Sequence, residues 1–589
     1  MDITSPPATC RSQYVAMRDG TRLAVDVWLP TGHSDAVPRF GAVVRATRYW
    51  RAAVGAADTS AHEGEIALFA ARRLALVTVD VRGTGASFGR WDGPWSSTEL
   101  DDLGEVVAWV SRQPWSNGRI GTHGVSYDGN TAELIGTLGN PAVVAACPRF
   151  ADYDPWAHLA LPGGVLLESF LTAWAAGNRA LDLDAPGLVA SSPAEAEELR
   201  AWFGHPKPVD GDDGTLVAEA VQAHAANLDL LATVSQVDTF DDAASRMLGY
   251  PQSAPYSRRE QARAAGTQLR HVGSWYDAGT AAGVLARFAS ANTPQRAVIG
   301  AWSHGGHFDA SPFAVEAGLP AVPTIEVQRQ ELAAWLADRL AADAAPITGK
   351  VLTYRTVGTE TWHTTDVWPP AGVQPVRSWL TADGGMSAEH ATDGTRRYVV
   401  DPLASSGADT NRWQTQEGQR PVHYADRADA DARCLVWTGP ALVDETTITG
   451  TPVLHLQLAT TAADGALHAY LEAVAPDGRV VYLTEGILRL AHRAVGPAPY
   501  VVDGPYHPCT GDLVRPMTPG RPEPIDLALF PVSAAVPAGW SIRVAIAGAD
   551  HGTFRPVALD ADVTWTVASG PDGSWIDVPV DTVVREAGR

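Results

Sequence analysis

Four short apolar runs constrain this chain most: AVVRAT (42–47), LALVTVDV (74–81), RIGTHGV (119–125) and VVAACP (143–148). Each is apolar on both faces, and stretches of helical spacing such as ELDDLGEVVAWVSRQ separate them. Strands buried on both sides belong inside a parallel sheet, whose crossover connections are usually helices. The pattern therefore predicts an α/β fold, a mostly parallel sheet covered by helices on both faces. An Asp19-Gly20 pair between the apolar runs YVAM and RLAVDVWLP predicts that the chain opens on a β-hairpin.

With 589 residues the chain exceeds what one core serves, since single cores stop growing near ~250–300 residues. From 153 to 267 the strand signal fades. There Ser192-Pro193-Ala194-Glu195 supplies an N-cap, a first-turn proline and a capping-box glutamate, so a helical cap is expected. Two further strand runs, QLRHVGSWY and RAVIGAWS, then precede an amphipathic helix carrying Leu332, Trp335, Leu336 and Leu340. The core is expected to comprise residues 1–152 and 268–345. From 346 to 589, short strand-like runs broken by Pro and Gly predict a C-terminal β-sandwich of jelly-roll type. Leu454, Leu456 and Leu458 alternate there with His455 and Gln457, and Asp477-Gly478 marks a tight turn.

Acidic residues outnumber basic ones by 67 to 44, a net charge of −23. Such a chain repels nucleic acid and anionic membranes, so neither is an expected partner. The opening MDITSPPATCRSQYV lacks a basic segment followed by an apolar one, and no run of ~18 uncharged apolar residues occurs. A cytoplasmic location is the expectation. Cys10, Cys147, Cys434 and Cys509 are too scattered for a CxxC metal site or a dense disulfide framework and are expected as free, buried thiols.

The chemistry begins at Gly124-Val125-Ser126-Tyr127-Asp128-Gly129, a G-x-S-x-G match whose glycines allow the strand-to-helix turn that exposes a serine hydroxyl. Alone the pattern is weak, because Gly85-Ala86-Ser87-Phe88-Gly89 matches too. Context separates them. Ser126 follows a strand run and precedes NTAELIGTLG, which can begin a helix, whereas Ser87 precedes RWDGPW, whose Gly and Pro prevent one. Ser126 is the expected nucleophile and Ser87 a loop residue.

A serine hydroxyl attacks only when a base takes its proton, and in α/β-hydrolases the chain order is Ser, acid, His. Asp277 ends the run HVGSWYD and His304 ends VIGAWSH, in that order. Asp80, His307 and Asp309 compete by residue type, but position at strand ends favours Asp277 and His304. His123 is expected beneath the turn. For the oxyanion, the backbone N–H of Tyr127 is one expected donor. In the loop RATRYW (45–50), the Tyr49 hydroxyl is a candidate for the second, with a wedged aromatic the other reading of that residue.

The segments MRDGTRLAVDVWLP, DVRGTGASFG, GVSYDG, WYDAG, GAWSHG, QRPVHYADR and APDGRVVYLTEGILRLAHR resemble the cocaine esterase-like hydrolases. These are related to X-prolyl dipeptidyl peptidases and α-amino acid ester hydrolases, and the similarity covers nearly the whole chain. The resemblance implies an α/β-hydrolase core, a helical cap inserted before the acid, and a C-terminal jelly roll. It also implies Ser126 as nucleophile, Asp277 as acid, His304 as base and Tyr127 as backbone donor. Tyr49 matches the family's second oxyanion donor, with Arg48 the alternative in a gapless register. Trp174, in SFLTAWAAG, matches a tryptophan walling the acyl pocket, packing within the cap being the other reading. The chain departs from cocaine esterase at Gly279, where an aromatic is usual. It also lacks, in Asp277-Ala278-Gly279-Thr280, the carboxylates with which α-amino acid ester hydrolases hold an ammonium group.

The expectation is a serine hydrolase that cleaves a small-molecule ester or activated amide through an acyl-enzyme, with no metal or organic cofactor. A peptidase or β-lactam acylase on the same scaffold would need cap carboxylates such as Glu168, Asp182 or Asp184 near the site. A non-catalytic ligand-binding protein is the alternative from another class. The sequence leaves homo-oligomerisation open.

Overall fold

The computed structural model describes residues 8–31, 39–291, 293–314, 316–407, 410–416, 420–558 and 562–582. Its first sheet has ten strands: β1 (Ala8–Ala16), β2 (Arg22–Pro30), β3 (Phe40–Thr47), β4 (Leu74–Asp80), β5 (Ser116–Val125), β6 (Val143–Arg149), β7 (Gln268–Ser274), β8 (Gln295–Gly300), β9 (Lys350–Thr356) and β10 (Thr361–Thr365). They pair in the order β1-β2-β4-β3-β5-β6-β7-β8-β9-β10. β1 and β2 form the hairpin predicted at Asp19-Gly20, with Ala16 opposite Arg22 and Gly20 at φ 86°. From β4 to β9 all neighbours are parallel.

Two-residue periodicity divides the strand side chains between two helical layers. On one face, Val43 and Leu76 meet Phe69 of helix Ser60–Ala70 and Leu332, Leu336 and Leu340 of helix Ile325–Leu340. On the other, Val44, Val77 and Val79 meet Leu103, Val106 and Val110 of helix Ser97–Ser111 and Leu134 of helix Tyr127–Ile135.

The sheet takes in more chain than expected. β9 and β10 lie beyond 346, in the stretch assigned from sequence to the C-terminal β domain, yet β9 continues the first sheet with Lys350 opposite Gln295 of β8. A short β-type run carries no local mark of which sheet will accept its hydrogen bonds, so composition alone could not make this distinction.

The cap contains helices Glu168–Asp182, Pro193–Phe203 and Thr215–Ala223, with shorter turns up to Ala265. Ser192 accepts a hydrogen bond from the Glu195 N–H, as its capping position predicts, while the Glu195 carboxylate reaches back to the Ser191 N–H at 2.7 Å. A two-residue pairing of Ala53-Val54 with His205-Pro206 ties the cap to the loop after β3.

The remaining described strands form antiparallel sheets of nine and four strands. Leu454, Leu456 and Leu458 from the first and Leu467, Ala469 and Leu483 from the second fill the space between them. The same apolar cluster includes Trp275, Val284, Phe288 and Leu352 of the hydrolase region. The two parts therefore share one core, and the loop that follows β7 is built against the β domain. Among the described residues no helix is long and apolar enough to cross a membrane. The four cysteines are free, but Cys10 and Cys434 are only half-buried, against the expectation that all would be buried.

Candidate active site

β5 runs into helix Tyr127–Ile135 with no intervening loop, so Ser126 must make the whole turn, at φ 62° and ψ −127°. That conformation is costly for a residue with a side chain. Both flanking glycines are required by space. A Cβ on Gly124 would lie 2.2 Å from the Asp128 carbonyl carbon, and one on Gly129 would lie 2.8 Å from the Arg149 carbonyl oxygen. The second G-x-S-x-G match builds nothing comparable. Ser87 is fully buried in a loop, donating to the Asp80 carbonyl at 2.7 Å and accepting from the Ala24 N–H at 2.8 Å.

Asp277 and His304 come together as their strand-end positions predict. The His304 Nδ1 is 2.9 Å from Asp277 Oδ2, with Asp277 fully buried. The carboxylate is further held on Oδ1 by the Thr415 hydroxyl at 2.8 Å and the Gln416 side-chain amide at 2.6 Å. Neither residue was singled out from the sequence; they lie 138 and 139 positions away, beyond the reach of any local motif. His304 lines the same cavity as Ser126. Of the rivals, Asp80 is occupied by Arg51 and Asp309 by Arg355, while His307 lines the same cavity as Ser126. His123, on β5 three residues before the nucleophile, lines the same cavity, with its Nε2 3.0 Å from a Glu65 carboxylate oxygen.

Tyr49 has its hydroxyl against that of Ser126 and accepts a hydrogen bond from the Trp174 indole at 2.8 Å. Burial pushes this phenol up to about 12, so it remains a protonated donor at neutral pH. Arg48, the alternative, is fully buried with its Nη2 on Asp182 at 3.1 Å, while its Nε and Nη1 find no hydrogen-bond partner among the described residues. The Tyr127 N–H begins its helix, where first-turn amides have no helical acceptor. Its phenol points away, donating to Glu99 at 2.5 Å, and burial raises that carboxyl to about 8.

Ser126 stands between two cavities. The larger, about 710 Å³, also takes in Tyr49, His62, His123 and His304. The smaller, about 70 Å³, is walled by Leu159, Phe170, Leu171, Trp174 and Tyr250. Trp174 borders both, stacked on Phe170 with centroids 6.1 Å apart. No aromatic can replace Gly279, because a Cβ there would lie 2.6 Å from the His158 carbonyl oxygen. The three cap carboxylates are engaged elsewhere: Glu168 with Arg555, Asp182 with Arg48 and Asp184 with Arg200. The acid that does border the small chamber is Asp152. It is 7 % exposed, its carboxylate has no hydrogen-bond partner among the described residues, and burial raises it to about 7. The described residues contain no cluster of His, Cys, Asp and Glu able to hold a metal ion.

Residues 19–306 match the model of the X-Pro dipeptidyl-peptidase (S15) family, and residues 346–560 match that of the X-Pro dipeptidyl-peptidase C-terminal non-catalytic domain. A Mycobacterium bovis protein named as a serine esterase is 32% identical over 613 residues, covering 97% of this chain and 95% of its own. The cocaine esterase of a Rhodococcus species is 27% identical over 506 residues, covering 81% of this chain and 82% of its own. Among solved structures, a CocE/NonD family hydrolase of Staphylococcus aureus shares the fold, with a TM-score of 0.68 at 18% identity over 97% of this chain and 93% of its own. The chain thus belongs to the cocaine esterase and X-Pro dipeptidyl-peptidase family of serine hydrolases.

Proposed function

We propose that this serine hydrolase cleaves small-molecule carboxylic esters by two-step acyl transfer on Ser126. The observation that carries the reading is the placement of Ser126 on a strained turn between a small apolar chamber and a larger cavity, with the Tyr49 hydroxyl beside it. The chamber takes the acyl group and the larger cavity the alcohol. His304, oriented by Asp277, removes the Ser126 proton as Oγ bonds to the carbonyl carbon and the carbonyl electrons move onto oxygen. The Tyr127 N–H and the Tyr49 hydroxyl donate to that oxyanion. Collapse expels the alkoxide, which takes the proton from His304. Water, deprotonated in turn by His304, then releases the carboxylic acid and frees Ser126. The protein is read as a cytoplasmic enzyme with a small-molecule substrate.

The test is a series of p-nitrophenyl esters of increasing acyl length. Turnover is expected to favour acetyl to butyryl over decanoyl esters by about tenfold or more, because Phe170 and Trp174 close the chamber. Trp174→Ala should shift that preference toward longer chains. A flat chain-length profile in both proteins would remove the acyl role of the chamber.

A second reading, cleavage of aminoacyl esters or amides, is favoured by Asp152, whose carboxyl borders the chamber without a partner. Aminoacyl p-nitroanilide turnover that exceeds ester turnover and is lost in Asp152→Asn would establish it.

A further inference from the structure

The C-terminal domain reaches the acid of the triad. Residues 411–416 leave the β domain and cross the loop after β7, where Asp277 is followed by Ala278 at φ 42°, a left-handed conformation that a non-glycine residue adopts only when its surroundings enforce it. Arg412 provides that enforcement. Its carbonyl accepts from the Ala278 N–H at 3.0 Å, its Nε donates to the Ala278 carbonyl at 2.7 Å, and its guanidinium also bonds the Trp275 carbonyl. The Asp277 carboxylate between those contacts receives Thr415 and Gln416 on Oδ1. The segment is anchored behind. The Trp413 indole, fully buried, donates to Glu485, and the Asn411 amide donates to Gly407 and Thr553.

We propose that Thr415 and Gln416, supplied by the C-terminal domain, are positioning residues for the catalytic acid, fixing the orientation in which the Asp277 carboxylate meets the His304 imidazole. The proposal rests on the reading of Asp277 as the triad acid. The physical argument is that a carboxylate pinned on Oδ1 by two donors loses its rotational freedom, so it can hold the imidazole, whose Nδ1 lies 2.9 Å from Oδ2 and 3.1 Å from Oδ1, in a single orientation and tautomer. The two donors also draw charge from the carboxylate. Removing them makes it a stronger partner for the imidazolium, and the acid limb of the kcat/KM profile should move to higher pH. Among the ionisable groups facing the pair, Asp152 acts on both Asp277 and His304, Tyr424 on Asp277 and His307 on His304, and Arg287 and Arg412 lie against Asp152 and Tyr424 in turn. They are unchanged in the variants below.

The test compares Thr415→Val, Gln416→Leu, their double variant, Thr415→Ser and Asp277→Asn in the full-length chain, with p-nitrophenyl acetate as substrate. The double variant should lose about 10- to 100-fold in kcat with KM changed less than about threefold, and its acid limb should shift upward. Thr415→Ser, which keeps the hydroxyl, should restore the rate relative to Thr415→Val. Thr415→Val is nearly isosteric and serves as the folding-safe variant. An inactive Asp277→Asn beside a double variant of wild-type kcat and unmoved pH limb would overturn the proposal while leaving the triad intact. Full turnover by Asp277→Asn would overturn the reading of the acid itself, and the positioning role with it.

Discussion

Replacing Ser126 by alanine is expected to lower kcat/KM for p-nitrophenyl acetate by about 10⁵-fold or more, because the acyl bond forms on its hydroxyl. The fold should survive, since the backbone at 126 is dictated by the packing of β5 against helix Tyr127–Ile135 rather than by the hydroxyl. A second variant separates chemistry from strain. Ser126→Gly removes the same hydroxyl but suits φ 62°, so it should be equally inactive yet more stable than Ser126→Ala by about 1 kcal/mol. Thermal unfolding of the pair checks this. Equal melting temperatures would mean that the turn carries no strain, and retained turnover in either variant would end the account of Ser126.

Tyr49→Phe is expected to produce the next largest effect, about a 10²- to 10³-fold loss in kcat with KM little changed. The ring keeps its place against Tyr127, with centroids 6.2 Å apart, so the change isolates the hydroxyl. Because the phenol is pushed up to about 12, it donates throughout the neutral range, and the loss should not vary between about pH 6 and 9. The Trp174 indole loses its acceptor in this variant, a modest cost of about 1 kcal/mol that stability measurements would register. If Tyr49→Phe retained wild-type kcat, the residue would be a wedge beside the nucleophile and the second oxyanion donor would have to be sought elsewhere.

Much of this site was legible because its chemistry depends on local features. The glycines at 124 and 129 leave a spaced trace where backbone approaches backbone, and the runs ending at Asp277 and His304 place those side chains at the carboxyl edge of a parallel sheet. Helix starts were legible for the same reason, as at Ser192 and Glu195. What escaped is long-range. Thr415 and Gln416 have no motif, since their meaning lies in a carboxylate brought to them by tertiary packing. Asp152 reads as a polar residue after a strand until the fold places it on an apolar chamber. The extension of the first sheet through β9 and β10 was hidden because strand partners, unlike strand periodicity, are not written locally. Gly279 illustrates the converse case. Its departure from the cocaine esterase pattern was visible at once, but the reason, the His158 backbone filling that space, required the fold.

The most direct measurement is the site of covalent capture. The protein would be treated with a fluorophosphonate, digested, and the modified peptide mapped by mass spectrometry. A single adduct on Ser126, absent after substitution of His304 by alanine, is the predicted result. Adduct formation at Ser87 or another serine with Ser126 unmodified would contradict the central claim.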